Sequence, residues 1–284
     1  MTAHYLVSGG GGYIGRALVG RLKEAGHQVT APDRRQWDIA RDPVPSGRFD
    51  RVFHLASRVG VKASWEEPGS YLENNLIGTI RILEACRRTG MPLTLVSGYA
   101  YGRPDRLPID ENCGLAPNNP YALSKAMAEE AATFYGRHLN VAVVALRVFN
   151  VYGPGQSRDY VIPEIMAQIM DPTVATVVVA DLAPRRDYVH LDDVIEAIVA
   201  TCAARSGIAV YNVGSGRSYS VADVIEVAMA ATGVRKPYRD RGEVRRQEID
   251  EVRADISAIE RDLGWRPRIG LAEGLGSMVS RVAA

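Results

Sequence analysis

Four consecutive glycines, Gly9 to Gly12, follow the apolar run Tyr5-Leu6-Val7-Ser8 and lead through Tyr13-Ile14-Gly15 into a helical stretch that ends at Ala25. This order prescribes a strand, a tight turn and a helix start. Glycine suits the turn because the backbone needs positive φ there and a Cβ would hold an anion off the main chain. Two spacings are available, Gly10-x-Gly12-x-x-Gly15 and Gly9-x-x-Gly12-x-x-Gly15. Either one can seat a dinucleotide pyrophosphate against the N–H groups and positive end of the helix, with Gly9, Gly12, Tyr13, Ile14 and Gly15 in contact. An ordinary glycine-rich turn is the alternative; placement between strand and helix favours the nucleotide site.

The second strand, Gln28-Val29-Thr30-Ala31, ends near Asp33. A carboxylate there can bond the adenosine ribose hydroxyls and repel a 2′-phosphate, so NAD is expected over NADP. Arg34 and Arg35 follow at once and offer that phosphate the opposite, attractive reading. Asp38, in Trp37-Asp38-Ile39, reads equally as an adenine contact, with Ile39 beside it, or as a surface carboxylate.

Strands and helices alternate along the first 212 residues. Strand-like runs are Tyr5–Ser8, Gln28–Ala31, Arg51–Leu55, Leu93–Val96, Val141–Leu146, Val174–Ala180 and Ile208–Asn212. Helical patterns lie at Ile14–Ala25, Tyr71–Arg88, Ala122–Leu139, Val161–Met170 and Asp192–Ala203. The βαβαβ order with Val- and Leu-rich strands predicts an α/β fold, a doubly wound parallel sheet covered on both faces. Only 17 residues separate Asp33 from Arg51, so that crossover must be abbreviated. After residue 152 the chain turns rich in Gly, Pro and Arg, which predicts loops and short elements in a smaller lobe.

With 284 residues, 46% apolar, the chain can bury one large core or two. The net charge of +1, without basic runs between aromatics, argues against nucleic acid. Cys86, Cys113 and Cys202 lack metal or disulfide spacing, and the five histidines form no ligand pattern, so no metal is expected. Neither a signal peptide nor a membrane-length apolar run is present; no membrane association and a cytoplasmic location are the expectations.

Chemistry concentrates between residues 97 and 125. Tyr121 and Lys125 stand one helical turn apart, on one face, after Pro120 at a helix start. A phenol needs its anion stabilised to act as a base near neutrality, and a neighbouring ammonium does that. Ser97 ends a strand at the carboxyl edge of the sheet, where its hydroxyl can reach a reacting oxygen. A chance pair on an amphipathic helix is the competing reading of Tyr121 and Lys125 alone. A non-catalytic dinucleotide sensor would need none of the three.

These residues resemble the extended short-chain dehydrogenase/reductases that act on nucleotide sugars, the NAD-dependent epimerase/dehydratase family. Ser8–Gly15 looks like its TGGxGxIG loop, and Val52-Phe53-His54-Leu55-Ala56 like its vFHLAA strand. Tyr71 to Thr79, with Asn75, matches YxxxNxxGT, and Ser97 to Gly102 resembles SSxxYG. Arg147 to Pro154 looks like LRxxNxYGP, and Arg186 to Val194 like RDfvhVdDv. Tyr211–Gly216 and Leu263–Pro267 complete the pattern. The resemblance implies a Rossmann-type domain over residues 1–152 plus 187–212 and a nucleotide-sugar lobe over 153–186 plus 213–284. It makes Ser97, Tyr121 and Lys125 catalytic and adds Leu55, Ala56, Ser57 and Asn75 to the cofactor contacts. Ser97, Tyr99, Asn150, Arg186 and Arg241 are the implied substrate contacts; Arg241-Gly242-Glu243 reads equally as a charged surface turn. Dimeric relatives pair the helices corresponding to Tyr71–Arg88 and Ala122–Leu139, which implies a homodimer.

Departures narrow the activity. Related 4,6-dehydratases carry an acidic pair just after the catalytic Ser/Thr; Gly98 and Tyr99 stand here and cannot serve as that acid and base. The expected activity is NAD-dependent C4 epimerisation of a UDP- or dTDP-sugar through a 4-keto intermediate. The alternative is an NAD(P)H-dependent reductase of a 4-keto-6-deoxy nucleotide sugar, which the abbreviated crossover and short chain also suit.

Overall fold

The computed structural model describes residues 2–204, 206–243 and 249–282. Strand β1 (His4–Ser8) runs through the glycine turn into α1 (Tyr13–Glu24), and β2 (Gln28–Thr30) returns beside it. Residues 31–50 form turns without a helix before β3 (Arg51–His54), which is the abbreviated crossover the spacing requires. The expected helix Tyr71–Arg88 is instead a broken series: α2 (Val61–Glu66), α3 (Pro68–Leu72), a π-helical turn (Glu73–Ile77) and α4 (Gly78–Thr89). Pro68 opens α3 at a position that needs no N–H. Within the π turn the Asn75 carbonyl accepts the Thr79 hydroxyl at 2.6 Å, one helical turn on.

Next come β4 (Leu93–Gly98), α5 (Pro120–His138), β5 (Val143–Val148), β6 (Asn150–Tyr152), α6 (Val161–Met170), β7 (Val177–Val179), β8 (Arg185–His190), α7 (Leu191–Ala200) and β9 (Ile208–Val213). Six strands form one parallel sheet in the order β2-β1-β3-β4-β5-β9. Alternate residues of each strand enter opposite layers. Val7, Phe53 and Leu146 meet Leu18 and Leu22 of α1 and Val194 and Ile198 of α7. Leu6, Val52 and Leu95 meet Ile82 and Leu83 of α4 and Ala132 of α5. Both faces are therefore apolar, which explains the near-continuous hydrophobic strands. The chain leaves β1 for β2 on one side and returns to β3 on the other. The strand order thus switches at β1/β3, and their carboxyl ends open a crevice.

The expectation of loops and short elements after residue 152 is corrected. β10 (Ser218–Ser220), α8 (Val221–Thr232), β11 (Tyr238–Asp240) and α10 (Leu271–Val282) join α6 and β7 around a second core, while α9 (Ser257–Leu263) packs on the first. The centre of the second core includes Tyr152, Ile165, Val177, Ile225 and Leu275. Two of these helices span 12 residues each, so the lobe is not loop-dominated. Signals for α8 stand in the sequence: Ser220 and Asp223 form a capping box, and Gly233 ends the helix in the left-handed region. Two buried acids fasten the lobe. Asp187 accepts from the N–H groups of Ser215, Gly216 and Ala254 and from the Ser215 hydroxyl. Asp193 accepts from the N–H groups of Arg268 and Ile269. No helix among the described residues is long and apolar enough to cross a membrane.

Candidate active site

Gly9 has φ +74°, and a Cβ there would stand 2.6 Å from the Ala56 nitrogen just past β3. A Cβ on Gly15 would collide with the Gly9 carbonyl, so α1 starts hard against the turn. A Cβ on Gly12 would meet the same carbonyl at 3.2 Å, so packing favours glycine at 9, 12 and 15. Gly10 has a separate reason, since its Cβ would press on the Ala31 side chain at 2.7 Å. At Gly11 a Cβ would point into open space. Tyr13, Ile14 and Gly15 open the helix, so their N–H groups have no carbonyl one turn back, and Gly12 supplies no side-chain cap. This cradle fits a dinucleotide pyrophosphate.

Asp33 lies exposed beyond β2, its Oδ1 accepting from the N–H groups of Arg35 (2.8 Å) and Gln36 (3.0 Å). That turn presents a carboxylate at the crevice rim, with the Arg34 and Arg35 side chains also exposed. Asp38 bonds the Ala40 N–H, while Trp37 and Ile39 are buried. Ile39 packs so closely on α4 that a Cβ at Gly78 would lie 2.7 Å from its Cδ1. Beyond β3, the Leu55 and Ala56 N–H groups bond the Ser8 carbonyl (3.1 Å) and hydroxyl (3.3 Å), and Ser57 follows on the same edge. Asn75 is buried and holds both the N–H and the carbonyl of Arg58, at 2.7 and 3.1 Å, while its Nδ2 also donates to Ser124 at 2.8 Å.

Ser97, Tyr121 and Lys125 converge at the carboxyl end of β4. Asn119 caps α5 by accepting from the Ala122 N–H, and Pro120 opens it, so Tyr121 lies in the first turn. A Cβ on Gly98 would lie 3.7 Å from the Tyr121 hydroxyl, which places the phenol over the residue next to Ser97. Among the described residues the buried Ser97 hydroxyl has no hydrogen-bond partner, which suits it to a substrate oxygen. Lys125 donates to the Val96 carbonyl at 2.6 Å, and burial lowers its pKa to about 8 against the opposing pull of Glu129. Burial, together with Tyr160, Tyr99 and Tyr71, pushes the Tyr121 phenol above its ordinary range. The sequence-based expectation that the ammonium lowers the phenol is not met: desolvation first, and then the three neighbouring phenols, set the direction.

Sequence reasoning gave Glu129 and Arg147 no role at the site. They form a buried ion pair at 2.7 Å, and Arg147 also reaches the Tyr101 hydroxyl at 2.8 Å. The spacing of Lys125 and Glu129, one turn apart, was the available signal. Tyr71 packs edge-on to Tyr121, and its hydroxyl bonds the Val59 carbonyl. Tyr99 stacks on Phe149 at 4.7 Å and donates to the Asn150 side chain at 3.1 Å; Asn150 in turn donates to the Asp187 carbonyl. Arg186 donates to the Arg185 and Ile249 carbonyls, at 2.8 and 2.7 Å. Arg241 is exposed and ion-paired to Glu243 at 2.7 Å, apart from the residues around Ser97 in its bonding.

A parallel sheet with a glycine cradle at its switch point and a Ser-Tyr-Lys set at its next strand end defines a Rossmann-type, dinucleotide-dependent enzyme. The chain belongs to the NAD dependent epimerase/dehydratase family, which it matches over residues 5–214. It is 29% identical to the UDP-glucose 4-epimerase of Corynebacterium glutamicum, over 92% of this chain and 90% of that one. It is 30% identical to the GDP-6-deoxy-D-mannose reductase of Pseudomonas aeruginosa, over 99% and 97% of the two chains. Among solved structures, MoeE5 in complex with UDP-glucose and NAD is similar at TM-score 0.88 and 31% identity, covering 99% of this chain and 100% of that one. The protein is an NAD(P)-dependent enzyme of nucleotide-sugar chemistry, of the extended short-chain dehydrogenase/reductase type.

The buried lysine makes a pH prediction. The unfolded amine keeps its proton to about pH 10.5, the folded one only to about 8. Between those values the unfolded state binds the extra proton, so stability rises with pH across the window, by up to about 3 kcal/mol. Lys125→Met should lose that rise. Urea unfolding of both proteins at pH 7, 8.5 and 10 measures it, and parallel stability curves would show that the ammonium is not desolvated.

Proposed function

We propose that the protein is an NAD-dependent epimerase acting at C4 of a UDP- or dTDP-sugar. The observation that carries this reading is the Ser97–Tyr121 pair, an orphaned buried hydroxyl beside a phenol with no carboxylate at positions 98 and 99. Such a site supports oxidation and reduction of a carbinol, whereas elimination needs a further acid or base. When bound in the glycine cradle, NAD supplies the hydride acceptor and donor. Tyr121 takes the C4 hydroxyl proton and later returns it. Lys125 holds the phenolate by its charge, and Ser97 donates to the oxygen as it becomes a carbonyl. Asn150 and Arg186, with Arg241 as a further contact, hold the diphosphate while the 4-keto sugar turns to offer its other face.

The dinucleotide sits on residues 1–152 plus 187–212, and the nucleotide sugar lies between that unit and residues 153–186 plus 213–284. Ile259 and Trp265, from the second stretch, enter the core of the first and fasten the two. A second reading, an NAD(P)H-dependent reductase of a 4-keto-6-deoxy nucleotide sugar, is favoured by the equally high similarity to the GDP-6-deoxy-D-mannose reductase and by exposed Arg34 and Arg35. The same three catalytic residues would then act once per turnover. NAD that stays bound through gel filtration supports the epimerase, and exchangeable NADPH supports the reductase.

The protein forms a homodimer through α5 and the helices before it. Leu123, Met127 and Phe134 project from one face of α5 with 41%, 40% and 55% exposure, and Ile77 and Trp65 are exposed on the preceding segments. Spacings of four and seven residues align them in one stripe, an apolar patch suited to a four-helix interface. Phe134→Glu should yield a monomer by light scattering, with the wild-type fold by circular dichroism; an unchanged mass would place the contact elsewhere.

Tyr121→Phe should lower turnover by about 10²-fold or more while dinucleotide affinity holds, the magnitude for a positioned acid/base. Near-full turnover of the Phe variant on a confirmed sugar nucleotide would remove Tyr121 from the reaction. Asp33→Ala should weaken NAD and strengthen NADP binding, because Arg34 and Arg35 can then pair with the 2′-phosphate. Fluorescence titration of both cofactors decides this, and a wild-type preference for NADP would shift the reading to the reductase.

A further inference from the structure

His54 is buried at the end of β3, directly opposite Ser8 of β1 in the strand register, and no step of the proposed reaction uses it. Its Nδ1 lies 2.6 Å from the Ser8 hydroxyl and its Nε2 lies 2.9 Å from the Thr79 hydroxyl. The neighbouring bonds determine every proton. The Thr79 hydroxyl donates to the Asn75 carbonyl at 2.6 Å, so towards His54 it can only accept, and Nε2 carries the hydrogen. Nδ1 is then the acceptor and takes the Ser8 proton. The Ser8 oxygen is left free to accept, and it does so from the Ala56 N–H at 3.3 Å. All donors along Ala56–Ser8–His54–Thr79–Asn75 thus run in one direction and none is left over.

Both ends of this chain matter for the site. Ala56 is the residue whose nitrogen stands against Gly9 in the cradle, and Asn75 is the residue that grips Arg58 and Ser124. We infer that His54 is a positioning residue. Through Ser8 and Thr79 it forms a directional hydrogen-bond relay that holds the Ala56–Gly9 contact, and with it the cofactor cradle, in register with the π turn carrying Asn75. The inference rests on the reading of the glycine turn as the dinucleotide site. A neutral imidazole is required, and the surroundings enforce it: burial, and after it repulsion from the Lys125 ammonium, lowers the His54 pKa to about 3.

The test is a double-mutant cycle read by NADH binding. Thr79→Val is nearly isosteric and deletes the acceptor for Nε2–H; Ser8→Ala deletes the donor to Nδ1. Each should weaken NADH binding about tenfold, the effect of leaving one buried polar group unpaired. Thr79→Ser should restore wild-type affinity. The double variant should lose no more than about tenfold, because either change already breaks the relay. A roughly hundredfold, additive loss, or wild-type affinity in both single variants with only a lowered melting temperature, overturns the inference. Nitrogen-15 spectra of the His54 ring provide a readout that needs no cofactor. The free protein should show the neutral Nε2–H tautomer from about pH 5 to 9, and the Nδ1–H form or an imidazolium in that range overturns the relay. Wild-type protein that binds neither NADH nor NADPH refutes the dinucleotide reading, while the spectra judge the relay separately.

Discussion

The approach of two strand ends, β1 at Gly9 and β3 at Ala56, is the constraint on which the site depends. A side chain at Gly9 would reach 2.6 Å from the Ala56 nitrogen, and one at Gly15 would strike the Gly9 carbonyl. Strand, turn, helix and neighbouring strand therefore close to backbone contact, and the first-turn N–H groups of α1 are aimed at the crevice rather than at a side chain. The order β2-β1-β3 puts this contact at the switch point, where loops diverge to opposite faces and leave room for a ligand. A crossover with a full helix would have added material above it; twenty residues of turns, ending with Phe49 buried against Trp37 and Ile39, suffice instead.

The reacting end relies on a different balance. Lys125 is buried with a pKa lowered to about 8, and the charge it carries at neutrality is sustained by Glu129. Glu129 is in turn paired to Arg147, whose other contacts are the Tyr101 hydroxyl and the Glu111 carbonyl. The Tyr101 hydroxyl donates to the Asn212 side-chain oxygen, and the Asn212 amide nitrogen donates to the Ile109 and Asp255 carbonyls. Removing one member of a buried charge pair costs about 3–5 kcal/mol, so such a network is rigid. Rigidity has a use here, because Ser97 sits opposite Arg147 in the β4/β5 register and α5 carries Tyr121. Burying the Lys125 ammonium costs folding stability, and Glu129 offsets part of that cost.

Much of this was legible in the residues. Strand positions follow from continuous apolar runs, because both faces of a parallel sheet are covered. The catalytic helix follows from Asn119-Pro120 and from the one-turn spacing of Tyr121 and Lys125. Of the C-terminal lobe, α6 was legible and α8 to α10 were overlooked, although the Ser220/Asp223 capping box, Gly233 and the apolar periodicity of α10 stood in the sequence. The break at Glu73–Ile77 was hidden, since a single π turn leaves no mark on hydrophobic spacing. The phenol's direction of shift was misjudged for a similar reason. Sequence shows that an ammonium is one turn away, whereas the extent of desolvation is a property of the assembled site.

Epimerase and reductase leave nearly the same imprint because both need one hydride transfer and one proton transfer at a carbinol, and they differ in whether the ketone is released or turned. That difference belongs to the walls around the sugar. On the proposed reading Tyr99 is a wall residue: it lies flat on Phe149 with its hydroxyl on Asn150. Since Asn150 is also held by the Asp187 carbonyl, its amide is pinned from two sides. Asp187 is itself the buried acid that gathers Ser215, Gly216 and Ala254. Asn150 is thus tied through Asp187 to the backbone at residues 215, 216 and 254. On the epimerase proposal, a nucleotide sugar held by its diphosphate beside Asn150 and meeting Tyr121 with its sugar would keep rotation about the intervening bonds as its remaining freedom.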